Sequence, residues 1–106
     1  MKTAIQSIVT TLALLAFGAK AAPANDNFAD RVVLLGNSLC LTNSNSGATK
    51  ETGETNHAAA FGYTASGMSV WYAWTPDVGG YVKFTLTGNF NKVIAAYTGS
   101  SVTGLS

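Results

Sequence analysis

Charge is scarce in this chain. Only 10% of its 106 residues are Asp, Glu, Lys or Arg, and it has one histidine, one cysteine and two prolines. Each shortage excludes something. With no basic patch to hold a phosphate backbone, nucleic acid is excluded as a partner. With no polybasic or amphipathic helix, no segment suits a membrane surface. One cysteine, Cys40, cannot build an internal disulfide framework, and it lies too far along the chain to be a lipid-bearing cysteine. In the apolar stretch "LCL" it reads as a buried thiol, with a mixed or intermolecular disulfide as the sharper alternative. Residues 23–106 show no helix-period segment and no internal repeat.

What is present begins with a leader. Lys2 is followed by the apolar run Ile8–Phe17, and small residues close it at Ala19–Ala21. That is the pattern of a secretory signal peptide, residues 1–22. A spanning helix would need about 20 apolar residues, and this run is shorter and carries Thr10 and Thr11. The expectation is therefore a secreted or cell-surface product with no membrane insertion after cleavage. Residues 23–106 keep Arg31, Lys50, Lys83 and Lys92 against Asp26, Asp30, Glu51, Glu54 and Asp77, one more negative than positive. A domain of this size buries roughly 60–65% of its unfolded surface and is marginal without a disulfide.

The strand signals lie late in the chain. Val32–Leu35 is a continuous apolar run, open to strand or helical turn, and Leu39–Leu41 reads as a short strand. Residues 42–67 read as loop. "MSVWYAWT", 68–75, is aromatic and β-branched. "PDVGG", 76–80, is a turn. "YVKFTLT", 81–87, alternates, with Val82, Phe84 and Leu86 on one face and Lys83 and Thr85 on the other. "GNFN", 88–91, turns again, and "KVIAAYT", 92–98, is a third strand. Short turns imply an antiparallel meander, and its apolar face needs a second sheet. The predicted fold is thus an all-β antiparallel β-sandwich.

The loop "GATKETGETNHAAAFG", 47–62, gathers Lys50, Glu51, Glu54 and the only histidine, His57. On a helix, Glu-x-x-His would turn two ligands one way. Gly53, Thr52 and Thr55 argue against a helix, and in an extended chain Glu54 points away from Glu51 and His57. Calcium suits oxygen donors on irregular loops, and Glu51 or Glu54 could supply them. A small hydrolase would need Glu54 and His57 to converge in a cleft, yet no G-x-S-x-G nucleophile motif is present. The plainer role is structural. Lys50, Glu51, Asn56 and His57 would hydrogen-bond backbone that an irregular path leaves unpaired. On the aromatic strand, Val70, Tyr72 and Trp74 share the core face. Trp71 is placed outward, either as a stacking platform for a sugar or peptide ligand or capped by Ala58–Phe61.

The order "NDNFADRVVLLG", "GATKETGETNHA" and "SVWYAWTPDVGGYVKFTLTGNFNKVIAAYTGSS" resembles the bacterial pre-peptidase C-terminal domain group of secreted proteins. The match runs over nearly all of residues 25–100. The resemblance implies a jelly-roll-like sandwich without catalytic activity, placed beside peptidases or other extracellular domains. It also implies that two or three strands would follow, so that this chain lacks the last of them. Some collagen-binding relatives hold calcium near their N-terminal segment, and Asn25 and Asp26 match that region in type. The chain departs from the family pattern at Thr52 and Thr55, where proline is common. It also departs at "FNK", 90–92, where FDT is usual, and at Ser69 and Trp71, where those relatives carry an acidic pair. The expected function is a non-catalytic accessory module that binds or adheres to polysaccharide or matrix protein. The alternative is a structural spacer, or a secretion or folding aid, in a larger extracellular protein or peptidase.

Overall fold

The computed structural model describes residues 20–64 and 67–106. Nearly all of the leader, residues 1–19, lies outside the described residues. The fold is not the β-sandwich its pattern suggests. The described residues hold two three-residue strands, β1 (Val32–Leu34) and β2 (Tyr72–Trp74), paired parallel in the register Val32–Tyr72, Val33–Ala73 and Leu34–Trp74. Three single 3-10 turns, at Phe28–Asp30, Ala59–Phe61 and Val102–Gly104, complete the regular structure. The rest is irregular. Among the described residues no helix is long and apolar enough to cross a membrane.

β2 forms inside the segment expected to be a strand, but its partner comes from far upstream and runs parallel. The reason lies in the residues that flank the pair. Val32 N–H donates to the Trp71 carbonyl at 3.1 Å, and Trp71 N–H donates to the Asn25 carbonyl at 2.9 Å. The N-terminal segment therefore runs along one edge of β2, and among the described residues no strand pairs with the other. The Trp74 indole N–H then reaches the Gly36 carbonyl at 2.8 Å and closes the far end. Among the described residues there is no antiparallel meander and no jelly-roll-like elaboration of one.

Residues 39–41, 81–87 and 92–98 form no strand. Val82, Phe84 and Leu86 are exposed along with Lys83 and Thr85, so the alternation of "YVKFTLT" has no inner and outer face here. The physical cause is the missing second layer. Strand propensity is largely packing against neighbours, and a few strands without a covered face are marginal. Cys40 is likewise exposed rather than buried, because Leu39 and Leu41 beside it are themselves exposed.

The buried centre is small and partly polar. It consists of Ala48, Ala58 and Trp71 with Asn25, Asp26 and Glu54. Trp71, expected to face outward, is only 8% exposed, while Val70, Tyr72 and Trp74 are half-buried. Trp71 alone of this segment is buried, because Asn25–Phe28 and the 51–57 loop close over it.

Candidate functional site

The site grows from two turns. At Glu51–Glu54 the chain reverses, with Glu54 N–H donating to the Glu51 carbonyl at 3.1 Å and Gly53 at φ +88°. A positive φ at the third position of a turn favours glycine. The Glu54 side chain curls back, and its Oε2 accepts from Glu51 N–H at 2.8 Å. Two residues on, Asn56 braces the next turn. Its Oδ1 accepts from Ala58 N–H at 3.1 Å, and its Nδ2 donates to the Tyr63 carbonyl at 2.9 Å. Between these turns Glu54 and His57 meet.

Glu54 Oε1 lies 2.6 Å from His57 Nε2 and also accepts the Ser69 hydroxyl. His57 Nδ1 lies 2.8 Å from the Tyr97 hydroxyl. A neutral His57 with its proton on Nε2 donates to Glu54 and accepts from Tyr97. The His57 ring stands edge-on to Trp71 at 5.2 Å, and Phe28 does the same from another side at 5.2 Å. A carboxylate as buried as Glu54, 7% exposed, is tolerable only when its oxygens are satisfied. Here both are.

The N-terminal segment is tied to the loop by two further carboxylates. Asp26 takes Thr49 N–H on Oδ1 at 2.6 Å and the Thr49 hydroxyl on Oδ2 at 2.8 Å. Glu51 Oε2 takes Phe28 N–H at 2.9 Å. Arg31 folds onto this turn, with Nη1 donating to the Phe28 carbonyl at 2.9 Å and its guanidinium 4.6 Å from the Phe28 ring centroid. Asn25 Nδ2 donates to the Trp71 carbonyl at 2.9 Å.

The residues singled out from sequence thus fall into one neighbourhood. Asn25, Asp26, Glu51, Glu54, Asn56, His57 and Trp71 all contribute contacts, whereas Lys50 is exposed. Asn25, Asp26, Glu51 and Glu54 meet as hydrogen-bond partners of the polypeptide rather than as a ligand shell. Among the described residues no group of three His, Cys, Asp or Glu side chains is placed to hold a metal ion. Trp71 offers no open ring face to a ligand. Its indole N–H is buried without a partner among the described residues.

Sequence reasoning overlooked Thr49, Ser69 and Tyr97. Thr49 and Ser69 sit among many hydroxyl residues and carry no distinguishing signal. Tyr97 reads as an ordinary strand aromatic.

The chemistry open to this cluster follows from its order of contacts, Ser69 to Glu54 to His57 to Tyr97. A serine nucleophile needs the histidine between hydroxyl and carboxylate. Here the carboxylate stands in the middle, and the Ser69 hydroxyl is given to Glu54. Compared with family models, curated proteins and solved structures, the chain finds no match.

Proposed function

We propose that this chain is a secreted, non-catalytic accessory module that binds polysaccharide or matrix protein beside other extracellular domains. The observation that carries the reading is the contact order at Glu54. Within this cluster Ser69, Glu54, His57 and Tyr97 are engaged with one another in holding the loop to the Trp71 segment. The leader at residues 1–22 supports secretion. The motif resemblance to pre-peptidase C-terminal modules supports an accessory role, though not their architecture.

The binding half of the proposal rests on one exposed aromatic, Tyr81, beside the half-buried Trp74. Trp74, Pro76 and Tyr81 border a hollow of about 370 Å³ that Asn37 and Lys83 also line. Tyr81 is fully exposed. An aromatic ring beside an amide and an ammonium suits a sugar, whose faces are apolar and whose edges are hydroxyls. The test is retention of the purified chain on insoluble cellulose, chitin and collagen fibres, with assay of released sugar and peptide. Retention that Tyr81→Ala abolishes, with no product released, is the expected result. Product release that disappears in Ser69→Ala would overturn the non-catalytic reading.

A second reading, the structural spacer, is favoured by the burial of Trp71 beneath His57 and Phe28. It predicts no retention on any of the three materials.

A further inference from the structure

The segment 81–87 carries the densest strand pattern in the chain and none of a strand's partners. Residues 81–88 lie in no helix, turn or ladder. Among the described residues, no backbone–backbone hydrogen bond outside the β1–β2 ladder joins residues 76–97 to any other residue. Val82, Phe84 and Leu86 are 50%, 54% and 43% exposed, and Phe90, Val93 and Ile94 continue the apolar exposure. Contiguous apolar surface of this kind marks an interaction site, and an unpaired run of N–H and C=O groups is a template for another strand.

The pattern of "YVKFTLT" indicates which strand. An antiparallel pairing centred on Phe84 sets each copy's Phe84 against the other's, and Val82 against Leu86 on either side. Opposite residues in such a pair point to the same face, so all six apolar side chains share one side. On the other face Lys83 stands opposite Thr85, so no like charges are directly opposed. The formal net charge of the whole chain is only +1. Long-range repulsion between copies is therefore weak.

We infer that residues 81–87 form a self-pairing edge through which two copies of this chain associate as an antiparallel dimer. The pairing is isologous, since the same seven residues serve both copies and close the contact. It also satisfies backbone groups that the single chain leaves to water.

The test is sedimentation of the purified full chain over a concentration series, with two variants at an exposed position. Wild type should be dimeric at the upper end of the series. Phe84→Lys and Phe84→Asp should each weaken association about tenfold or more, because like charges would then face each other at the centre of the pair. Mixed together, the two variants should form a heterodimer, since only the Phe84-centred register brings the opposite charges together. A wild type that stays monomeric throughout would overturn the inference. So would association that persists in either variant alone, as pairing through the leader would give, or a mixture that stays monomeric. Circular dichroism of each variant, matching wild type, shows that position 84 has not altered the fold.

Discussion

Asn25 grips the Trp71 peptide from both sides. Its carbonyl accepts the Trp71 N–H and its side-chain amide donates to the Trp71 carbonyl, each at 2.9 Å. A residue outside any strand thereby does what a neighbouring strand would do, and this contact helps to sink Trp71 beneath the N-terminal segment. Asn25→Ala leaves the Trp71 carbonyl with the Val32 N–H as its donor and should cost about 0.5–1.5 kcal/mol, the worth of one hydrogen bond. Asn25→Asp should cost more, because a carboxylate would face that carbonyl. Urea denaturation followed by tryptophan fluorescence measures both, and equal midpoints for Asn25→Ala and wild type would remove Asn25 from this role.

Glu54 is the hub of the loop. Glu54→Ala should destabilise by about 3 kcal/mol, since Glu51 N–H, Ser69 and His57 lose one acceptor together. Tyr97→Phe removes only the hydroxyl at His57 and should cost about 1 kcal/mol. The double variant should fall short of the sum, as expected for members of one network. Strict additivity in a double-mutant cycle would mean that Tyr97 and Glu54 act separately.

Much of this neighbourhood was legible in the sequence, but its purpose was not. The clustering of Glu51, Glu54 and His57 in a charge-poor chain marks the loop correctly as a place where polar groups gather. Asn25 and Asp26 match a ligand-bearing segment in type; Asp26 meets the loop at Thr49, and Asn25 meets Trp71 beside it. The error lay in the strands. "YVKFTLT" has the alternation of a half-buried strand, but alternation describes what a segment could pack against, not whether a partner is present. Trp71 was misplaced for a related reason. Period-2 reasoning assigns faces within a strand, and here the cover comes from segments outside it.

Gly53 tests the turn. At φ +88°, a Cβ would also stand 2.5 Å from Thr103 Cγ2. Gly53→Ala should cost about 1–2 kcal/mol through backbone strain and this clash. Adding Thr103→Ser removes the methyl and should recover part of the loss, leaving the strain. If the second change recovers nothing in a thermal melt, the Thr103 contact is not what resists the side chain.

Calcium should not move the melting midpoint. Both oxygens of Asp26 are held by Thr49, and those of Glu54 by Glu51, Ser69 and His57. Scanning calorimetry with millimolar calcium and then with excess chelator should give midpoints within about 1 °C of each other. A rise of several degrees with calcium, reversed by chelator, would show that the cation can displace these partners.

Cys40 should react at once with a thiol reagent in the native protein, because it is exposed. Slow labelling that accelerates only in denaturant would place the thiol inside.

The Asn25–Trp71 contact spans 46 residues of sequence. Among the described residues no hairpin lies within this span to start folding locally. The chain must close a long loop before its first strand pair, Val32 with Tyr72, can form. Loop-closure entropy then falls on the transition state. Substitutions at Asn25 should therefore slow refolding more than they speed unfolding, whereas Gly53, inside a four-residue turn, should act mainly on the unfolding rate.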